Sequence, residues 1–262
     1  MVVHSMPYKI IASGLSDIGL VRHNNEDSWA ELPQCNFFVL ADGMGGHKAG
    51  EVASKEAVNG LCKIILNVTG SDKEELSFDE MHGVLQFAIE YVNDLIYAMG
   101  STKQDLHGMG TTLCCLYFHP EGLIYAHVGD SRIYRLRNGI LEQLTKDDSL
   151  LREILESEGH NSDLKSQHHD HLYKNIITKA IGTESVVEPA VHLADLLNSD
   201  IYLMCSDGLS DMLSLQEIEL ILLRYPDLQK CTEHLIAAAI ERGGLDNITV
   251  VLTKVQDHKD DA

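Results

Sequence analysis

Apolar side chains recur along the first hundred residues with a helical period. From Ala49 to Val68 the positions Ala53, Ala57, Leu61, Ile64 and Ile65 fall on one helical face. Ser77 and Glu80 then form a capping box, and Met81, Val84, Leu85, Ala88, Ile89, Val92, Leu95, Ile96 and Met99 make a second apolar face, with Gly100 as the predicted stop. These two predicted helices are consecutive, with no strand between them. Beyond them the period shortens. TTLCCLYFH, GLIYAHVG and SRIYRLRNG are strand-like runs separated by Pro-Glu-Gly and Gly-Asp turns, which predicts an antiparallel hairpin meander. IYLMC reads as a buried strand, Ser214 and Glu217 open another capped helix, Pro226 starts one that ends at Gly243-Gly244, and NITVVLT is a last strand. Helices and strands in separate blocks argue for α+β layers, because a doubly wound fold would alternate them along the whole chain.

The length of 262 residues, with no break in composition, fits one domain over residues 1–255 and a disordered tail over 256–262. Residues from about 146 to 174 are charged and His-rich, and they are expected to form an exposed flap in which LLREIL is a short helix. No apolar run approaches the ~18 residues that cross a bilayer. The beginning, MVVHSMPYKI, lacks the pattern of a signal peptide, so a cytoplasmic location is expected. A formal charge of −20 repels phosphate backbones and anionic lipid, so neither nucleic acid nor membrane is an expected partner, whereas an acid-rich protein suits cations. Six cysteines without CxxC spacing read as buried reduced thiols, and the adjacent Cys114 and Cys115 should point to opposite faces of a strand.

The chemistry lies in aspartates placed at strand ends. FFVLAD ends at Asp42, IYAHVGD at Asp130 and IYLMCSD at Asp207, while Asp246 immediately precedes NITVVLT. Asp42 and Asp207 are each followed by glycine, which permits a sharp turn and close approach to a ligand. A lone Asp-Gly is more often a turn whose aspartate bonds its own backbone, but four sites with shared placement weigh against that reading. Converging carboxylates repel unless a cation compensates, and an all-oxygen ligand set suits magnesium, manganese or calcium.

RHNNED at 22–27, DGMGGHKAGEVAS at 42–54, GMGTT at 108–112, GDSR at 129–132, SDGL at 206–209 and DNITV at 246–250 resemble, in order, the motif set of PPM-type phosphatases, the protein phosphatase 2C family. The resemblance extends from about Gly14 to Leu252. It implies an αββα sandwich, two antiparallel sheets flanked by helices, with a metal site at one end between the sheets. It further implies that Asp42, the Gly43 carbonyl, Asp207 and Asp246 hold two manganese or magnesium ions, with Asp42 bridging them. Glu26 and Asp27 would act through metal-bound waters, Asp130 with Asp207 would hold a third, weaker ion, and Arg22 would clamp the substrate phosphate. The implied activity is hydrolysis of phosphoserine and phosphothreonine on proteins by a metal-activated water. The implied partners are phosphorylated proteins, among them serine/threonine kinases and their targets. Animal members often carry histidine as a general acid where this chain has Met44, so the proton for the leaving group must come from elsewhere. His47 and Lys48 read as a helix-start surface, and His168, His169 and His171 as part of a solvated flap. Lys174 stands where the family often has arginine. Two alternatives are a catalytically idle binding module of the same fold, which usually loses metal aspartates, and a phosphatase dedicated to one small regulator protein.

Overall fold

The computed structural model describes residues 6–45, 49–70, 76–157, 173 and 176–258. One antiparallel sheet has the order β1 (Tyr8–Asp17), β11 (Ile248–Asp257), β10 (Ile201–Cys205), β7 (Arg132–Arg137), β8 (Ile140–Gln143). The second runs β2 (Asp27–Leu32), β3 (Phe37–Met44), β5 (Leu113–His119), β6 (Gly122–Val128), β9 (Ala190–Ala194), with the two-residue β4 (Gly110–Thr111) beside β3. Helices α1 (Ala49–Thr69) and α2 (Phe78–Thr102) cover the second sheet. The short α3 (Leu150–Ser157) follows β8, and α4 (Asp207–Ser210), α5 (Leu215–Arg224) and α6 (Leu228–Glu241) cover the first sheet.

Alternation along the strands sorts apolar side chains into three layers. On β3, Phe37, Val39 and Ala41 pack with α1 and α2, while Phe38 and Leu40 enter the seam between the sheets. On β10, Leu203 and Cys205 meet α5 and α6, while Tyr202 and Met204 enter the seam. Cys115 belongs to the helix side and Cys114 to the seam, so the adjacent cysteines do point apart, and all six cysteines are free thiols. The αββα order implied by the resemblance is therefore the one observed. Both capping boxes are present, at Ser77 with Glu80 and at Ser214 with Glu217. Among the described residues no helix is long and apolar enough to cross a membrane.

Five expectations need correction. The meander stops after one hairpin: β5 pairs with β6, but β7 pairs with β10 and β8 in the other sheet. β9 occupies the second edge of β6, and Ile133 of β7 is packed in the seam, so the Gly129–Ser131 turn carries the chain across. The last strand runs past residue 255, pairing with β1 as far as Tyr8↔Asp257, while residues 259–262 lie outside the described ones. Helix α2 continues through Gly100 to Thr102, and α6 is capped by Asp227, whose side chain accepts from Lys230 N at 2.9 Å, with Pro226 just outside. The start of the expected flap is anchored: Asp148 N donates to the Gly129 carbonyl at 3.0 Å, and Ser149 bridges to Ile177. The remainder of that stretch, residues 158–172 and 174, lies outside the described residues, as do His47 and Lys48.

Gly14 on β1 tests the seam. A Cβ there would stand 2.4 Å from the ring of Trp29, the chain's single tryptophan. Gly14→Ala is expected to lower stability by about 1–3 kcal/mol through overpacking and to shift the Trp29 emission. A thermal melt followed by that fluorescence checks both, and an unchanged melting temperature would show that the seam yields freely there.

Candidate metal centre

The seam is apolar through most of its length and polar at one end. Continuing the alternation of Phe38 and Leu40 along β3 places Asp42 on the seam side, directly opposite Asp27 in the β2–β3 register. The same counting on β10 and β11 sets Ser206 beyond Met204 and Thr249 beyond Val251. These hydroxyls bind Asp27: Ser206 Oγ donates to Asp27 Oδ2 at 2.8 Å and Thr249 Oγ1 donates to the same oxygen at 2.6 Å. Asp130 enters from the turn that crosses between the sheets, and Asp207 and Asp246 from the ends that flank β10 and β11.

Backbone contacts hold these carboxylates in place. The Asp42 carbonyl accepts from Thr112 N and Thr111 Oγ1, both at 2.8 Å, and the Asp42 N–H donates to Thr112 Oγ1 at 3.0 Å. Thr112 Oγ1 is also 2.7 Å from Ser131 Oγ, so GMGTT and GDSR meet at the back of Asp42. Arg132 grips Asp147 with three hydrogen bonds of 2.6–3.1 Å and thereby fixes the chain after Asp130 to the residues after β8. Asn247 uses its whole amide: Oδ1 accepts from Glu26 N at 2.8 Å, and Nδ2 donates to the Ile18 and Asn24 carbonyls, each at 3.0 Å.

The glycines after Asp42 and Asp207 have a different reason from the one expected. Neither has a positive φ. A Cβ on Gly43 would stand 2.2 Å from the Gly50 carbonyl oxygen, and one on Gly208 would stand 2.0 Å from that of Asn247. Glycine there lets protein backbone approach protein backbone, which packs the aspartate-bearing segments together.

Electrostatics follow from crowding. Glu26, Asp27 and Asp130 are buried, while Asp42, Asp207 and Asp246 keep part of their surface open. Burial pushes the Asp27 carboxyl up to about 6, against the opposing pull of the Thr249 and Ser206 hydroxyls. Burial and then the Asp147 charge raise Asp130 to about 6. Asp207 rises to about 8 through burial, then repulsion from Asp130 and Asp246. Asp42 lies well above the ordinary range through burial and the charges of Asp27, Asp207, Asp130 and Asp246. Arg22 is the cation set against this group, its Nη2 donating to Asp246 Oδ2 at 2.5 Å. Arg22 side-chain exposure of 51% leaves the rest of its donor fork facing solvent.

The predicted residues are thus gathered at one end of the seam, with Arg22 joined to Asp246. Among the described residues, however, no three His, Cys, Asp or Glu side chains close into a ready-made coordination cage. Two carboxylate oxygens, Asp27 Oδ1 and Asp207 Oδ1, are buried without a hydrogen-bond partner among the described residues. The sequence reading missed Ser206, Thr249, Asn247 and the two threonines of GMGTT as the scaffold, although all lie inside the quoted motifs. It also missed Asp211, one helical turn after Asp207, whose charge adds to the repulsion on Asp207 and Asp130.

The model of the family Protein phosphatase 2C matches residues 21–238. The serine/threonine phosphatase stp of Listeria monocytogenes is 38% identical over 242 residues, which is 91% of this chain and 93% of that protein. The serine/threonine protein phosphatase PstP of Mycobacterium tuberculosis is 39% identical over 243 residues, 93% of this chain. The chain spans only 44% of that relative's length. The structure of the PstP catalytic domain in complex with two manganese ions aligns with a TM-score of 0.81 at 36% identity, over 95% of this chain and 99% of that one. With the same sandwich, and with the motif residues collected at one end of its seam, the chain belongs to the protein phosphatase 2C family, a family of metal-dependent phosphatases.

Proposed function

We propose that this chain hydrolyses phosphoserine and phosphothreonine on proteins at a centre of two or three manganese or magnesium ions, opposing serine/threonine kinases. The observation that carries the reading is the set of crowded carboxylates with unpartnered oxygens. A buried aspartate elsewhere in the fold provides the contrast. Asp200, at the other end of β10, is 1% exposed and fully partnered: Arg137 donates to both its oxygens at 2.6–2.8 Å, and Leu197 N and Tyr202 Oη donate to Oδ2. At the candidate centre five aspartates crowd together with Arg22 on Asp246 and Arg132, itself paired with Asp147, near Asp130, which leaves negative charge for cations to neutralise, and the oxygen-only donor set suits manganese or magnesium. The manganese-bound PstP relative supports the same reading.

Asp42, the Gly43 carbonyl, Asp207 and Asp246 would hold the two central ions. Asp130 would share a third with Asp207, and Glu26 and Asp27 would act through ordered water. Bound cations supply an acidified water and neutralise charge on the phosphoryl oxygens. The chain's own contribution is orientation. Thr111, Thr112 and Asn247 fix the main chain beneath the carboxylates, and the half-exposed Arg22 guanidinium offers a planar fork to the phosphate. Met44 has no proton to give a departing alkoxide. A catalytically idle module of the same fold is disfavoured because every aspartate of the set is retained.

Phosphate release from phosphothreonine peptides is expected with added manganese and is expected to vanish in EDTA. Undiminished release in metal-free buffer would remove the proposal. Arg22→Ala is expected to raise KM by about 10- to 100-fold, as the loss of a charged hydrogen-bonded contact of ~1.5–3 kcal/mol implies, with a smaller change in kcat. A fall in kcat at constant KM would take Arg22 away from ground-state phosphate.

The raised carboxyls also set a pH dependence for the metal-free protein. Asp27 and Asp130 titrate near 6 and Asp207 near 8 when folded, against ~4 in the unfolded chain. From about pH 4 to 8 the folded state therefore binds more protons than the unfolded one, and stability falls as pH rises through that window. In EDTA, melting temperature is expected to be lower at pH 8 than at pH 6. Asp207→Asn should flatten that fall, match or exceed wild-type stability without metal, and lose most of the gain that manganese gives wild type. Melts of both proteins at the two pH values, with EDTA and with manganese, decide the matter. An Asp207→Asn protein clearly less stable than wild type in EDTA would make Asp207 a structural turn residue.

A further inference from the structure

Next to the candidate centre lies a patch of aliphatic side chains turned into water. Leu20 is 67% exposed, Val21 56%, Leu245 57% and Ile18 37%. Single exposed leucines are ordinary, but these four belong to two joined loops. One leads from β1 into Arg22, and the other leads from α6 into Asp246. Leu20 N donates to the Gly244 carbonyl at 2.8 Å, and Asn247 Nδ2 donates to the Ile18 carbonyl at 3.0 Å. Gly19 takes φ +76°, with the Asp246 carbonyl oxygen 2.3 Å from where a Cβ would stand, and Gly244 takes φ +48° against Leu20. Fixed backbone under exposed aliphatic side chains makes a presented surface.

We propose that this lip is a substrate subsite that receives an apolar side chain flanking the phosphorylated serine or threonine. Preferred substrates would then carry Leu, Ile, Val, Met or Phe close to the phosphoresidue. The inference rests on the phosphatase reading given above. Leu20 and Val21 immediately precede Arg22, and an extended peptide advances only ~3.3 Å per residue. A phosphate held by Arg22 therefore brings a neighbouring side chain within reach of the lip. A second copy of the chain fits less well. It would cover Arg22 and Asp246, and it would bring together two molecules of formal charge −20.

The test uses phosphothreonine peptides that differ only in whether leucine, serine or glutamate flanks the phosphoresidue, assayed with manganese. Wild type, Leu20→Ser/Leu245→Ser and Leu20→Lys/Leu245→Lys are compared, with p-nitrophenyl phosphate as the small-substrate control and size exclusion for oligomeric state. Wild type is expected to prefer the leucine peptide about tenfold in kcat/KM, mainly through KM. The serine variant is expected to lose that preference and the lysine variant to shift it toward glutamate, with both retaining p-nitrophenyl phosphate turnover. The single variant Val21→Thr changes little volume and should weaken the preference in part. Equal wild-type rates on the leucine and serine peptides, a preference that survives Leu20→Ser/Leu245→Ser, or a wild-type dimer that this variant dissociates would each overturn the subsite. Absence of phosphate release from every substrate would instead bring down the phosphatase reading, and the subsite with it.

Discussion

Repulsion among Asp27, Asp42, Asp130, Asp207 and Asp246 is the constraint around which the rest of the molecule is arranged. Carboxylates brought together at the end of an apolar seam would separate or protonate if nothing held them. Here the restraint acts through the main chain. Threonines from GMGTT bind the Asp42 backbone, Asn247 ties the Glu26 segment to the Asp246 segment, and Gly43 and Gly208 let the backbones of Gly50 and Asn247 approach within a distance that any side chain would forbid. Asp27 Oδ1 and Asp207 Oδ1 are left without a hydrogen-bond partner among the described residues, a deficit that a bound cation would relieve.

The four layers supply the rigidity this arrangement needs. Both sheets donate alternate side chains to the seam, so Tyr202, Phe118, Phe38 and Met204 hold the apolar part closed while the polar end stays open at its rim. Phe118 lies edge-on to both Phe38 and Tyr202, at centroid distances of 5.9 and 5.7 Å, which ties the two sheets at the centre. Asp200 with Arg137 shows how the same fold treats a buried carboxylate whose role is structural: its own arginine neutralises it. The two ends of β10 thus receive opposite treatment within one strand length.

Phosphate chemistry and substrate choice would then be divided between neighbouring surfaces. The acidic end of the seam suits cations, the exposed fork of Arg22 suits a phosphoryl group, and the aliphatic residues beside it suit the peptide that carries that group. The last two are mounted on the loop between β1 and β2, whose backbone is pinned by hydrogen bonds to Gly244 and Asn247 on the approach to β11.

Much of this was legible in the residues themselves. The helical periods of α1 and α2, both capping boxes, the opposed faces of Cys114 and Cys115, and the strand-end placement of Asp42, Asp130, Asp207 and Asp246 are local properties, set by spacing along a few turns or a few pleats. What spacing does not encode is which strands become neighbours. β6 and β7 are separated by one short turn, yet they lie in different sheets, because pairing depends on which edge another strand has already taken and on which side chains the seam must bury. The partners of the carboxylates are likewise decided in three dimensions. Ser206 and Thr249 reach Asp27 across 179 and 222 residues, and Arg22 reaches Asp246 across 224. The aspartates announce themselves in the sequence because each lies at or beside the end of a strand. Their convergence, their shared charge and the apolar lip beside them exist only once the two sheets close on each other.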